Sequence, residues 1–270
     1  MNRCSAFLLV LFFSFLMHMN CSTLQLESTW KDRDITLDGK GGDWLGSKYY
    51  FEDVAISIGL INDAQYLYVS MMTENPMIRA QIMRKGLTVW LDPKGGKNKT
   101  FGIKYPLGRQ RTEQEEERLT PEAMMDEIAR EEMMQKLQES MTELEVLGPD
   151  EKVLENMDIK DAKRIDVKMR NAGGTFVYEL RVPLISSEEH PFAVGVKPGD
   201  MIGVGFLSPK LQMQRPRGMR SGGMPGMGGR GGMGGGVGGM RATGMGRQMP
   251  QQLKIWAKVK LAADFPLPMQ

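Results

Sequence analysis

The side chains that carry most enzyme chemistry are scarce in this sequence. It holds two histidines and two cysteines among 270 residues. His18 and Cys4 fall in the apolar opening stretch, which leaves His190 and Cys21 for the body of the chain. A Ser-His-Asp or Cys-His centre would have to be built on His190. That residue stands beside Glu188, Glu189 and Pro191, in a segment with the composition of a solvated loop. Without the opening stretch, a zinc site of several His or Cys ligands is excluded. No phosphate-cradling loop with a Lys-Ser/Thr end and no dinucleotide fingerprint sits between a strand and a helix. Asp and Glu are numerous, but most cluster in one acidic segment that reads as a solvated face, and no pair stands out to flank a glycosidic bond. The chain is therefore expected not to be an enzyme.

Binding chemistry is better supplied. The aromatic ring of a tryptophan can stack on the apolar face of a sugar, while Asp, Asn, Arg or Gln fixes the hydroxyls. The candidates are Trp30, Trp44, Trp90 and Trp256. Trp44 follows Asp43 in a Gly-rich loop, where an exposed ring would serve as a platform and the carboxylate as an acceptor. Trp90 lies between Val89 and Leu91 in an apolar run and is the second ligand-binding candidate; core packing is the alternative for each ring. Trp256 shares a strand face with Lys254 and Lys258, which points to partial exposure.

These residues need strands to position them. Val54, Ile56, Ile58 and Leu60 alternate with Ala55, Ser57, Gly59 and Ile61, a period of two. Asn62-Asp63-Ala64-Gln65 supplies a turn, and Tyr66 to Met72 resumes as a second strand, so 54–72 reads as an antiparallel hairpin. Asn75-Pro76 breaks it, and 77–85 is expected to be a short helix capped by Gly86. Further strands are expected over 87–91, 100–105, 165–170, 176–182, 201–207 and 253–261, with Ala172-Gly173-Gly174 turning a second hairpin.

Two segments interrupt this pattern. Residues 111–147 are expected to form a helical insert: Thr120-Pro121 is a helix start, and Met134, Leu137, Met141 and Leu144 make a stripe that Gly148-Pro149 ends. Residues 215–249 are dominated by Gly with Met and Arg, lack a hydrophobic period, and are expected to be a disordered loop between two strands. Its Met thioethers suit Cu(I), at irregular spacing, and without interleaved aromatics it does not read as a nucleic-acid segment.

The N-terminus bears on compartment. A short basic start at Asn2-Arg3 precedes an apolar run over 4–17, too short to cross a bilayer comfortably and suited to a signal peptide ending near residue 20. Cys21 follows at once, a lone thiol that is a candidate for lipidation, although Asn20 before it departs from the small residue usual there. Residues 21–29 then read as a tether and 30–263 as a single domain. The net charge of +2 demands no nucleic acid.

The order Leu37-Asp38-Gly39-Lys40, Asp43-Trp44 and Asn62-Asp63 followed by Tyr66-Leu67-Tyr68-Val69 resembles the carbohydrate-binding family 9-like modules of the DOMON-like group. The resemblance implies a mainly β, antiparallel β-sandwich, non-catalytic and extracytoplasmic, often with calcium. Calcium is the one cofactor it suggests. Asp38 and Asp63, with Asp43, could supply oxygen ligands, and the same residues suit turns. The expected partner is a carbohydrate or an envelope protein, at the surface or in the periplasm of a bacterial cell. Membrane contact is expected only through Cys21.

Overall fold

The computed structural model describes residues 24–108, 136, 139–162, 164–188, 191–210 and 252–263. The expected signal peptide over 1–20, Cys21, the expected loop over 215–249, His190 and most of the expected 111–147 insert lie outside the described residues.

The strands pair into two sheets. The first has seven, in the order β1 (Gln25–Glu27), β13 (Leu253–Lys260), β12 (Met201–Ser208), β6 (Thr88–Asp92), β7 (Phe101–Lys104), β8 (Glu143–Leu147) and β9 (Val153–Asp158). The second has six: β10 (Asp166–Ala172), β11 (Thr175–Pro183), β5 (Tyr66–Thr73), β4 (Ile56–Asn62) and β2 (Thr29–Trp30), with β3 (Lys48–Phe51) also pairing β4. Pairing is antiparallel except where β1 meets β13 and β2 meets β4. This is the mainly β, two-sheet arrangement expected from the alternating pattern. A single apolar core lies between the sheets. It takes Ile56, Ile58 and Leu60 from β4, Phe176, Tyr178 and Leu180 from β11, and Val89, Val204 and Ile255 from the facing sheet. Strand periodicity of two puts these on one face and leaves the intervening residues outward.

Helix α1 (Pro76–Lys85) forms where expected. The Asn75 side chain accepts from the Met77 and Ile78 amides, Pro76 occupies the first turn, and the Gly86 amide closes the last turn onto the Ile82 carbonyl at 2.8 Å.

The 111–147 insert is corrected at its end: Glu143–Leu147 is strand β8, not helix. Leu144 sits three residues after Met141, which mimics a helical stripe. Leu144 and Val146 nevertheless alternate with Glu143 and Glu145, and both apolar side chains are fully buried against the core. Glu145 pairs across the strand with Lys104 at 2.8 Å, as a sheet neighbour does.

The ends of the domain are sewn together at one point. The chain crosses from the first sheet to the second at Ser28, between β1 and β2. The buried Asn62 side chain accepts from Ser28 Oγ and from the Ala262 amide (2.9 Å), and donates to the Ala262 carbonyl (3.0 Å). One amide thus joins the N-terminal crossing, the end of β4 and the segment just past β13.

Candidate binding site

The expected platform at Trp44 is not on the surface. Trp44 is 0% exposed. Its ring presses onto β4 where Gly59 has no side chain: a Cβ there would lie 2.5 Å from the indole. Its Nε1 donates to Glu179 Oε1 at 2.9 Å, and the Gly39 amide donates to Glu179 Oε2 at 2.7 Å. Glu179 is itself fully buried on β11. Burial raises its carboxyl pKa, against the lowering pull of the Gly39 and Trp44 bonds. The loop 31–47 is therefore clamped over the outer face of the six-stranded sheet, where Trp44 makes a second small core with Ile61, Tyr68, Met72 and Val177. The ring is a structural plug. An indole beside glycines reads equally as platform or plug, and burial decides between them.

The other expected site residues follow. Asp43 Oδ2 accepts from the Thr36 amide at 2.9 Å and shapes the same loop. Trp90 is 2% exposed, lying flat over Gly102 of the neighbouring strand under the Lys99 side chain. Asp38 accepts from the Lys40 amide at 2.8 Å and pairs with its ammonium, and the Lys40 bond is the largest cause of its lowered pKa. Asp63 Oδ1 accepts from the Gln65 and Tyr66 amides, and Oδ2 from the Tyr68 hydroxyl. Both aspartates thus spend oxygens on turn geometry. Among the described residues no group of three or more His, Cys, Asp or Glu could hold a metal.

What is open lies a short way along the same sheet. A surface cleft of about 340 Å³ is lined by Gln65 and Tyr66 at the β4–β5 turn, Pro183 at the end of β11, Ile185, Ser186 and Ser187 after it, and Arg164 before β10. Its frame is fixed by backbone: Pro183 stands opposite Tyr66 in the sheet register, and the Leu184 amide donates to the Gln65 carbonyl at 2.8 Å. Asp63 holds the turn from below. The Tyr66 ring is half-buried. The Arg181 guanidinium covers it at 4.9 Å, and Arg164 Nη1 donates to its hydroxyl at 3.2 Å. Arg181 is in turn paired with Asp166. Next to it the Tyr68 phenol is pushed up to about 12 by burial and by Asp63, so it remains a donor at neutral pH. Ile185 is 51% exposed at the rim.

An aromatic edge, an exposed aliphatic side chain, two hydroxyls, an amide and a guanidinium converge here. Such a set can hold a polyhydroxylated ligand by apolar contact and hydrogen bonds. It contains no nucleophile–base pair. The sequence reading placed Tyr66 on a strand and Asn62–Gln65 in a turn, but had no signal that the stretch after Pro183 returns beside them. That proximity comes from the β5–β11 pairing between residues more than a hundred positions apart.

Fold and geometry together define a two-sheet β-sandwich that carries helix α1 and a shallow cleft of mixed apolar and polar lining. No family model matches the chain, and no curated protein matches it. Among solved structures it is similar to a carbohydrate binding module family 9 (CBM9) from Caldicellulosiruptor kristjanssonii in complex with cellotriose. The identity is 12% over 68% of this chain and 75% of that chain, with a TM-score of 0.34. The glucose complex of a CBM9 from the same organism gives 11% identity, 68% and 77% coverage and a TM-score of 0.32. The likeness is weak.

Proposed function

We propose that the chain is an exported, non-catalytic binding module that holds a carbohydrate or another cell-surface ligand in the cleft at Tyr66. The observation that carries this reading is the convergence of Tyr66, Ile185, Gln65, Ser186, Ser187 and Arg164 in one open concavity. The scarcity of histidine and cysteine supports a non-catalytic role. The apolar N-terminal run supports export to the bacterial envelope, and Cys21 supports a lipid anchor.

Titration calorimetry of the mature chain against a panel of neutral oligosaccharides tests the cleft. At least one sugar is expected to bind, at least tenfold more weakly in Tyr66→Ala and in Ile185→Asp. A silent panel, or unchanged binding in both variants, overturns it. Labelling of expressing cells with a fatty-acid analogue tests the anchor, with Cys21→Ser expected to abolish incorporation.

A second reading, an envelope assembly protein acting through protein contacts, is favoured by β9. This edge strand exposes Val153 and Leu154 about half each. Under that reading Leu154→Lys disrupts co-purification with envelope proteins while oligosaccharide titrations stay silent.

A further inference from the structure

The outer face of the seven-stranded sheet carries a second aromatic surface, remote in the fold from the Tyr66 cleft. Trp256 on β13 points outward with Lys254, Lys258 and Lys260, while Leu253, Ile255, Ala257 and Val259 point to the core. The ring lies flat on β12. A Cβ at Gly205 would meet three indole atoms at 2.7, 2.7 and 2.8 Å, a spacing that requires the ring plane to run along the sheet. Gly205 is paired with Trp256 on one side and with Trp90 on the other. Trp90 lies equally flat, over Gly102, but the 93–100 loop roofs it: the Gly96 carbonyl rides over Gly203, and Lys99 sits 5.8 Å from the Trp90 ring. Trp256 lies beside that loop and is partly exposed.

Among the described residues, the charges that flank Trp256 on β13 are of one sign, and Glu27 on β1 stands further along, opposite Lys260. Lys254 and Lys258 stand about 6.7 Å to either side of it along the strand. Their cross-strand neighbours are Leu207 for Lys254, and Gly203 and Gln25 for Lys258, none of them a carboxylate. Lys94 and Lys97 are exposed on the adjoining loop, whose Gly95 lies against the Lys258 side chain. Asp92, the acidic residue in this row, is buried beneath the loop and accepts from the Lys94 and Asn98 amides.

We infer that Trp256, flanked by Lys254 and Lys258, is a second binding site, for an anionic glycan of the polyuronate class. The flat indole stacks on the apolar face of a sugar ring, and lysines at both ends of the ring meet carboxylates on the same or neighbouring sugars. A single-stranded nucleic acid is served less well, because it takes a succession of open rings and the next ring here is roofed.

The test is affinity electrophoresis of the mature chain in gels containing polygalacturonate, with dextran as the neutral control. Polygalacturonate is expected to retard the wild type and dextran is not. Apparent affinity falls at least tenfold in Lys254→Ala/Lys258→Ala and in Trp256→Ala. Circular dichroism checks that each variant is folded; should Trp256→Ala fail that check, the lysine pair decides alone. The inference is overturned if polygalacturonate does not retard the wild type, or if a folded variant is retarded as strongly as the wild type. It is also overturned if polyglutamate competes as well as polygalacturonate, which would mark a surface for acidic protein. Neutral oligosaccharides report on the Tyr66 cleft and polygalacturonate on Trp256, so failure at one site leaves the other readable.

Discussion

The two outer faces of the sandwich solve the same problem differently. Each carries a tryptophan laid over a sheet glycine, Trp44 from the 31–47 loop over Gly59 and Trp256 from the adjoining strand over Gly205. On the six-stranded sheet the chain folds back as the 31–47 loop, and Glu179 clamps it through the Gly39 amide and the Trp44 indole, so the ring is sealed. On the seven-stranded sheet the 93–100 loop reaches as far as Trp90 and stops, leaving Trp256 partly exposed among lysines. The same residue pair thus makes a core on one side and a surface on the other. The difference lies in the length and anchoring of the covering loop, not in the tryptophan. Tryptophan next to glycine signals close ring-to-backbone packing, and says nothing by itself of exposure.

The sharpest way to break this comparison is to remove the sealed ring. Trp44→Ala leaves a cavity under the loop and is expected to cost about 4 kcal/mol of stability, read as a lowered denaturation midpoint. It also leaves Glu179 with one fewer donor while still buried. If Trp44→Ala instead unfolds like the wild type, the loop is not a structural plug and the ring returns to candidacy as a platform.

Glu179→Gln comes next. An amide has one accepting oxygen where the carboxylate offers two, so either the Gly39 amide or the Trp44 indole loses its acceptor, at a cost of about 2 kcal/mol. The substitution also tests the titration. Burial raises the Glu179 pKa above its unfolded value, so the folded state holds this proton more tightly. The contribution is fully present below the ordinary carboxylate range and is lost as pH rises through the raised folded value. Stability measured against pH should carry this downward component in the wild type, and the Gln variant should lack it. Identical profiles would mean that Glu179 titrates as a solvated carboxylate.

Trp256→Ala is the matched probe on the other face. Part of the ring already meets water, so its removal is expected to cost about 1 kcal/mol, well under the Trp44 value. A loss as large as that of Trp44→Ala would show that the ring is sealed in solution and would remove the asymmetry between the faces.

The sequence made the sheets legible and the surface illegible, for a physical reason. Ile56, Ile58 and Leu60, or Leu253, Ile255, Ala257 and Val259, announce an inner face because burial by a facing sheet imposes a period of two. Helix α1 was legible because Asn75-Pro76 and Gly86 satisfy its ends locally. Strand β8 was misread because Met141 and Leu144 share a helical spacing, and because its partners β7 and β9 supply the alternation's meaning from outside the segment. The Gly-rich setting of Trp44 suits a platform and core packing alike. The residue that buries it, Glu179, lies 135 positions away on β11. The cleft at Tyr66 has the same origin: Arg164 and Ile185 reach it only through the order of β10, β11 and β5.

The smallest effect distinguishes the two halves of the seven-stranded face itself. Lys99 lies over the Trp90 ring and is paired with Glu151, both at the edge of solvent. Lys99→Ala removes a partly hydrated cation–π contact and a surface ion pair, together about 0.5 kcal/mol. Stability alone would barely record it. Trp90 emission is the better reporter, because the ring is 2% exposed while the lysine is in place. Two variants make the reading specific, one with Trp30→Phe and Trp256→Phe, which removes the two partly exposed indoles, and the other with Lys99→Ala added to these. The first should show little quenching by iodide, because Trp44 and Trp90 are both buried. Adding Lys99→Ala should raise the quenching slope as the Trp90 ring opens to solvent. An unchanged slope would assign the roof to the backbone of the 93–100 loop, through the Gly96 carbonyl packed on Gly203, and would make the lysine a bystander to the boundary between covered and open ring.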